Sequence, residues 1–189
     1  MFDDYKQKQS VVVVYTGDSK GKTSASIGLM CRALGRGWRV AYIQFVKNWE
    51  VGEHTFIRKI QPLFNDSLFF YKGGLGFYEA PDDLSAADVT DADHKQAAQE
   101  TLAEARTALT GGEYDLVICD EINNALHDGL LTREEFEALL KDKPEDVSLC
   151  LTGRNFPEDM LHHVDIATEM KKIKHHFDDK YLAKKGIDY

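Results

Sequence analysis

The sequence predicts an α/β fold in which a mostly parallel central sheet is covered by helices on both faces. Short apolar runs, typical of buried strands, alternate with segments whose apolar residues recur every three or four positions. The connections between them are short, which favours parallel strands joined by right-handed crossovers. The chain has 189 residues, and no linker or repeat divides it. We therefore expect a single domain over residues 1–189 with a mobile N-terminus over residues 1–10.

The strands are predicted from apolar and β-branched runs. The first run, Val-Val-Val-Val-Tyr, has no polar interruption, so it is expected to be a central strand buried on both faces. Four further runs have similar composition. In chain order the predicted strands are residues 11–15, 39–46, 68–71, 114–121 and 147–151.

The helices are predicted from periodicity and from their end signals. Residues 23–35 carry an apolar face, and glycines follow it. Residues 85–110 carry an apolar stripe that ends at Gly111-Gly112. Thr132 and Glu135 have capping-box spacing, so a third helix is expected to start there and to end before Pro144.

A phosphate-binding motif lies between the first strand and the first helix. The stretch Gly17-Asp18-Ser19-Lys20-Gly21-Lys22-Thr23 combines a glycine-bearing loop with a Lys-Thr pair, which is the layout of a P-loop. Loop N–H groups and a helix N-terminus hold phosphate oxygens, the lysine reaches others, and the threonine hydroxyl can ligate Mg²⁺. The loop is one residue shorter than the usual pattern, so we expect a shifted polyphosphate register. The alternative is a basic strand–turn–helix corner without a ligand.

Two other strand ends carry charged side chains. Asp120-Glu121 ends an apolar strand, which resembles a Walker B element that holds Mg²⁺ directly or through water. The alternative is an acidic strand end facing solvent. Arg154 follows the strand at 147–151, where its guanidinium can bind phosphate or form a structural salt bridge.

Charge and composition exclude several function classes. The net charge of −9 argues against nucleic-acid binding. No apolar run is long enough for a membrane span, and the polar first residues are not a signal peptide. The three cysteines form no Cys-x-x-Cys pair, so we expect small buried side chains in a reducing cytoplasm.

The ordered motifs resemble those of the P-loop-type ATP:corrinoid adenosyltransferases, which act on cob(I)yrinic acid a,c-diamide or cobalamin. The resemblance covers residues 11–189, with Ser19 where a glycine is usual. The glycine loop also departs from the family, which usually has Gly-Phe-Thr-Trp where this chain has Gly76-Phe77-Tyr78-Glu79. Corrinoid preference and the ease of cobalt reduction are the properties that this change affects. The matching motifs are 17–23, 44–53, 119–126, 151–154, 168–170 and 174–189.

The resemblance implies a RecA-like P-loop fold and a reaction between ATP and a reduced corrinoid. Co(I) attacks C5′ of ATP and inorganic triphosphate leaves, with Mg²⁺ or Mn²⁺ as the metal ion. The residues implied as catalytic are Lys22, Thr23, Glu121, Arg154 and Phe77, with Phe77 as an apolar wall against cobalt's axial ligands or merely a hydrophobic plug. Those implied in binding ATP are Gly17, Asp18, Ser19, Lys20, Gly21, Lys22, Thr23, Ser24, Asn123 and Arg154. Those implied as metal ligands are Thr23, Glu121 and Asp120.

The resemblance also implies partners. A reducing flavoprotein supplies electrons, the protein is a cytoplasmic homodimer, and neither nucleic acid nor a membrane is a partner. Two rival functions share the same motifs. One is a P-loop phosphotransferase or NTPase that cleaves the β–γ bond, and the other is a non-catalytic ATP sensor.

Overall fold

The computed structural model describes residues 4–76, 78 and 89–189, and these form alternating strands and helices. The strands are β1 (Val12–Thr16), β2 (Val40–Gln44), β3 (Leu68–Lys72), β4 (Leu116–Asp120), β5 (Ser148–Thr152) and β6 (Ile166–Glu169). The helices are α1 (Lys22–Leu34), α2 (Gly52–Phe64), α3 (Asp91–Thr110), α4 (Ile122–His127) and α5 (Arg133–Lys141).

The described strands form one sheet in the order β3-β2-β4-β5-β1-β6, and every neighbouring pair is parallel. Parallel strands place their carboxyl ends at the same edge. The loop after β1 therefore lies near the ends of β4 and β5. The register also sets Gln44 of β2 beside Asp120 of β4. This edge is where ligands bind in open α/β sheets.

Helices cover both faces of the sheet, as the sequence predicts. On one face, α3 and α5 bury residues such as Leu102, Leu109 and Phe136 against β1, β2, β4 and β5. On the other face, α1 and α2 pack residues such as Met30 and Ile57 against the opposite side of the same strands. Because each central strand is buried on both sides, its sequence reads as a continuous apolar run.

The five predicted strands are confirmed, with bounds that differ from the prediction by at most two residues. The helix predicted over 85–110 is shorter than expected within the described residues. It begins at Asp91 because Thr90 and Asp93 form a reciprocal capping box; residues 85–88 lie outside the described part of the chain. The capping box of Thr132 and Glu135 is confirmed at the start of α5. The sequence analysis missed α2, α4 and β6.

The cysteine prediction is right for two residues and wrong for one. Cys119 and Cys150 are fully buried in β4 and β5, but Cys31 is exposed on α1. All three are free thiols.

The mobility expected of residues 1–10 stays a prediction. Within that segment Ser10 donates a hydrogen bond to the carbonyl of Glu145 (2.7 Å), and Lys8 forms an ion pair with Asp165. In the described part of the chain, none of the helices has the length and apolar character needed to cross a membrane.

Candidate functional site

The loop between β1 and α1 needs glycine at both of its ends. Gly17 has φ +102° and Gly21 has φ +114°, which is the left-handed region that side chains disfavour. A Cβ on Gly17 would lie only 2.5 Å from the carbonyl oxygen of Met170, which follows β6. Met170 also accepts a hydrogen bond from the Ser19 amide (3.0 Å). The loop is therefore pressed against the end of β6.

The N-terminus of α1 opens onto this loop without a side-chain cap. Gly21 is the N-cap residue, and no described side chain accepts from the first amides of the helix. Uncapped amides at a helix N-terminus attract an anion because their N–H groups and the helix dipole carry partial positive charge. Asp18 and Ser24 lie exposed on either side of this end.

Two lysines of the loop have different surroundings. The Lys22 ammonium donates to the carbonyls of Gly17 (2.7 Å) and Ser19 (2.6 Å), so it folds back over its own loop. Burial lowers the Lys22 pKa, and the nearby charge of Arg154 lowers it further. Lys20 instead pairs with Asp188 (2.9 Å).

The segment that ends at residue 189 returns to this loop through Asp188. Its side chain is only 2 % exposed, and it also lies 3.3 Å from the ring of His176. The amide of Lys184, followed by the ammonium of Lys20, lowers the Asp188 pKa to about 2. Lys20 is thus held at the rim of the loop by a carboxylate.

Arg154 lies on a turn that packs against residues of α4. Gly153 has φ +130°, and a Cβ there would lie 2.8 Å from both Asn123 Cβ and Asn124 Oδ1. Asn124 Oδ1 accepts from the Arg154 amide (2.7 Å), and the fully buried Asn123 donates to the Gly153 carbonyl (3.3 Å). The Arg154 residue itself is exposed. Asn123 therefore affects the site indirectly, by fixing the turn that carries Arg154.

The carboxylate of Asp120 is fixed at the end of β4 by two hydroxyls. Thr152 Oγ1 donates to its Oδ1 (2.6 Å) and Thr23 Oγ1 to its Oδ2 (3.1 Å), and the side chain is fully buried. Thr152 also accepts from the Glu121 amide (2.9 Å). Glu121 has φ +63°, a conformation that non-glycine residues adopt at some energetic cost and mainly at functional sites.

A lysine that the sequence analysis did not select occupies the centre of these groups. The Lys47 ammonium lies 3.1 Å from Glu53 Oε1, 3.4 Å from Glu121 Oε1 and 3.8 Å from Asp120 Oδ2. It also donates to Thr23 Oγ1 (3.4 Å). Four oxygens from α1, α2, β4 and the residue after β4 therefore surround one ammonium.

Burial and charge act against each other in this cluster. Burial lowers the pKa of Lys47, but Glu121, Asp120 and Glu53 together raise it well above its ordinary value. Burial raises the pKa of Glu121 to about 7 despite the neighbouring Lys47 charge. A further cation beside the buried Glu121 carboxyl group would stabilise its ionised form.

The arrangement suits a magnesium ion that arrives with phosphate ligands. Glu121 Oε2 is buried and has no hydrogen-bond partner among the described residues, so one hard oxygen is available. Within the described chain there is no group of three or more His, Cys, Asp or Glu side chains arranged to hold a metal. Mg²⁺ commonly binds through one or two carboxylates and takes its other ligands from substrate phosphates and water. Thr23, Asp120 and Glu121 fit that donor set.

The glycine loop after β3 lies along the end of β2. Gly73 donates to the Gln44 carbonyl (3.0 Å) and Gly76 to the Val46 carbonyl (2.9 Å). A Cβ on Gly74 would lie 2.2 Å from the carbonyl carbon of Val46, so a side chain has no room there. This contact brings residues 73–76 beside the strand end that carries Lys47. Phe77 and Glu79, which the sequence analysis singled out, lie outside the described residues.

The structure thus brings together most of the residues selected from the sequence. Thr23, Asp120 and Glu121 lie close together, and Arg154 is near enough to Lys22 for its charge to lower the Lys22 pKa. The residues missed are Lys47, Glu53 and Thr152. Lys47 and Thr152 could have been found from position, because they stand just beyond β2 and at the end of β5, and all three lie within the matching motifs 44–53 and 151–154.

Comparison with known proteins identifies the family. Residues 8–189 match the sequence model of the ATP:corrinoid adenosyltransferase family BtuR/CobO/CobP. The chain belongs to this family. A corrinoid adenosyltransferase of Sinorhizobium sp. is 34% identical over 96% of this chain and 81% of its own length. That of Pseudomonas aeruginosa is 31% identical over 97% and 86%, and that of Escherichia coli K12 is 29% identical over 97% and 88%.

A solved structure has the same fold as this chain. The flagellar accessory protein FlaH of Methanocaldococcus jannaschii superposes with a TM-score of 0.55 at 12% sequence identity, over 86% of this chain and 71% of that one. At that identity the likeness concerns the fold alone. The fold is the RecA-like P-loop fold that the sequence predicts.

Proposed function

We propose that this protein transfers the 5′-deoxyadenosyl group of ATP to Co(I) of a reduced corrinoid and releases inorganic triphosphate. The observation that carries the proposal is the family match over residues 8–189. The relatives that match nearly the whole chain bear the name corrinoid adenosyltransferase. The corrinoid is a cobalamin, a cobinamide or cobyrinic acid a,c-diamide.

The reaction requires positioning and charge neutralisation rather than proton transfer. Co(I) donates an electron pair to C5′ to form the cobalt–carbon bond, and the C5′–O bond breaks with its electron pair leaving on triphosphate. Because Co(I) carries no proton, no general base is needed. The protein's contribution is to hold the two reactants in line and to stabilise the negative charge of the leaving group.

Positive groups around the loop fit that task. We propose that the loop from Gly17 to Ser24 binds the triphosphate, with the α1 amides at its base. Lys22 and Arg154 add positive charge, and Lys20 adds more at the rim. Asn123 supports the Arg154 turn. The shortened loop is expected to shift the polyphosphate so that C5′, rather than the γ-phosphate, faces the corrinoid.

The metal proposal rests on Thr23, Asp120 and Glu121. These residues would hold Mg²⁺ or Mn²⁺, which supplies positive charge to the phosphate oxygens when bound. The unpartnered oxygen of Glu121 supports this assignment. Thr152 holds both Asp120 and the Glu121 amide, so it sets where the two carboxylates stand.

The corrinoid is proposed to bind beside the glycine loop, where Phe77 forms an apolar wall that displaces an axial ligand of cobalt. The loop's contact with residues 44–46 supports this placement. Glu79 in place of the family tryptophan is proposed to change corrinoid preference.

Three further features are proposals that rest mainly on the family. A flavoprotein is proposed as the reductant because Co(I) must be made by an outside donor. A homodimer is supported by large apolar side chains that are exposed in the single chain, among them Ile173, Leu182 and Ile187. A cytoplasmic location is supported by the three free cysteines.

An anaerobic assay tests the proposed function. The protein is mixed with Mg·ATP and chemically reduced cobalamin or cobinamide, and formation of the cobalt–carbon bond is followed by absorbance. We expect adenosylated corrinoid and triphosphate in equal amounts. ADP and phosphate would identify an NTPase or phosphotransferase, and ATP binding without any product would identify a sensor.

Lys22→Ala should lower turnover by at least about a hundredfold, because the leaving triphosphate loses a positive charge that is worth most in the transition state. Lys141→Ala, which removes a lysine paired with Glu137 on α5, is the matched control and should retain activity. Equal activity of the two variants would remove Lys22 from the phosphate site.

A further inference from the structure

The ammonium of Lys47 lies where the proposed metal ligands converge. Thr23 Oγ1 and Glu121 Oε1 are each 3.4 Å from its Nζ, and Asp120 Oδ2 is 3.8 Å away. They belong to the three residues that would hold the metal ion. A metal ion and an ammonium repel each other, so they compete for this site.

The acidic side chains of the cluster explain why the ammonium stands there. Glu53, Asp120 and Glu121 are three acidic groups at little or no exposure, and Lys47 supplies one positive charge. Buried like charges are costly unless a counter-charge is present. The Lys47 ammonium therefore supplies the counter-charge that lets these carboxyl groups lie close together.

Glu53 offers the ammonium an alternative position. It stands in the first turn of α2, and its Oε1 is the nearest carboxylate oxygen to Lys47, at 3.1 Å. Glu53 contacts none of the P-loop residues through a described hydrogen bond. An ammonium that withdrew from Thr23 and Asp120 would therefore remain paired.

We propose that Lys47 is a tethered cation that keeps free Mg²⁺ out of the carboxylate cluster until nucleotide phosphates arrive with the metal. In the nucleotide-free protein the ammonium neutralises part of the cluster. When Mg·ATP enters, its phosphates supply the ligands and charge that let the metal displace the ammonium toward Glu53. The consequence is ordered binding, in which the metal enters as Mg·ATP. This inference rests on the proposed metal site.

Binding of Mn²⁺ to the nucleotide-free protein tests the proposal. Mn²⁺ is used because free and bound ions are distinguished by electron paramagnetic resonance, and the measurement needs neither ATP nor corrinoid. We expect the wild-type protein to bind Mn²⁺ weakly alone and about tenfold or more tightly with ATP present. Lys47→Met should bind Mn²⁺ about tenfold or more tightly than wild type without ATP, because the competing charge is gone.

Lys72 provides a matched control. Its side chain is 14 % exposed against 13 % for Lys47, and it stands at the end of the neighbouring strand, but it pairs with Glu50 and the carbonyls of Asn48 and Trp49. Lys72→Met should leave Mn²⁺ affinity unchanged. Lys47→Arg, which keeps the positive charge, should also resemble wild type.

The outcomes separate this inference from the proposed function. If Lys47→Met binds Mn²⁺ no more tightly than wild type, or if Lys72→Met shows the same gain, the tethered-cation proposal is wrong. If wild type binds Mn²⁺ equally well with and without ATP, it is also wrong, whichever variants fold. None of these results depends on whether adenosylated corrinoid is formed, so the proposed reaction stands or falls by its own assay.

Discussion

Replacing Thr152 by valine removes the hydroxyl that connects β5 to both carboxylate-bearing residues. Valine has nearly the same shape as threonine, so the packing at this buried position changes little. The change leaves Asp120 Oδ1 without its 2.6 Å donor and the Glu121 amide without its 2.9 Å acceptor. Thr23 remains as the other donor to Asp120.

The size of the effect follows from those two bonds. A hydrogen bond to a charged group contributes about 1.5–3 kcal/mol, and a buried N–H left without a partner costs about 1–3 kcal/mol. Together they predict a loss of about 2.5–6 kcal/mol in the free energy of unfolding. For a domain of this size each kcal/mol lowers Tm by about 2–4 °C, so Thr152→Val should unfold about 5–24 °C lower than wild type.

Urea and thermal unfolding followed by circular dichroism measure this loss. Thr152→Ser is the control, since it keeps the hydroxyl and removes only a buried methyl group worth about 1 kcal/mol. If Thr152→Val proves no less stable than Thr152→Ser, the hydroxyl does not hold the carboxylates and the reasoning fails.

Two further predictions concern a buried histidine and a crowded glycine. His54 is fully buried against Phe70, and burial, followed by the charge of Lys72, lowers its pKa below 6.5. The unfolded chain therefore binds a proton below pH 6.5 that the folded protein does not, so stability falls as pH falls from about 7. His54→Phe should lose less Tm between pH 7.5 and 5.5 than wild type, and parallel profiles would contradict the argument. The other charged groups that act on His54 are Glu53, Lys47 and Glu50. Gly17→Ala should cost about 2 kcal/mol in urea unfolding, because its Cβ meets Met170 and φ is positive. Gly28→Ala, inside α1 with nothing within 4 Å of its Cβ, is the control and should not destabilise.

Local signals account for the parts of the fold that the sequence predicted well. The uninterrupted apolar runs of β1 and β4 mark strands buried on both faces, and the glycine-bearing Lys-Thr loop marks the turn between β1 and α1. The capping box of α5 fixes its first residue. In each case the residues that decide the structure are close together in the sequence.

The missed elements were missed for different reasons. The α2 helix starts at a glycine, has no side-chain N-cap and contains Pro62, so its end signals are weak, although its apolar residues Phe56, Ile57, Ile60, Leu63 and Phe64 recur at helical spacing. All four residues of β6 are exposed, and the strand forms because its backbone pairs with β1. The pairing of β6 with β1 is not visible in a single stretch of sequence.

Lys47 shows the same limit at the site. Its closeness to Asp120 comes from the register that sets Gln44 beside that residue, with Phe45 donating to the Asp120 carbonyl. The P-loop and Asp-Glu residues could be selected from their spacing, whereas Lys47 lies in the matching motif 44–53, whose spacing indicates no chemical role. Only the pairing of β2 with β4 brings its ammonium to the carboxylates.

The position of β1 in the sheet has a consequence for biosynthesis. Of the described strands this one is synthesised first, yet its two neighbours in the sheet are β5 and β6, which follow the other three in the sequence. A nascent chain that has emerged only as far as β4 can pair β2, β3 and β4 with one another, but it holds β1 as an apolar strand with neither neighbour. Until β5 and β6 have been synthesised, β1 is an unpaired apolar strand of the kind that tends to aggregate.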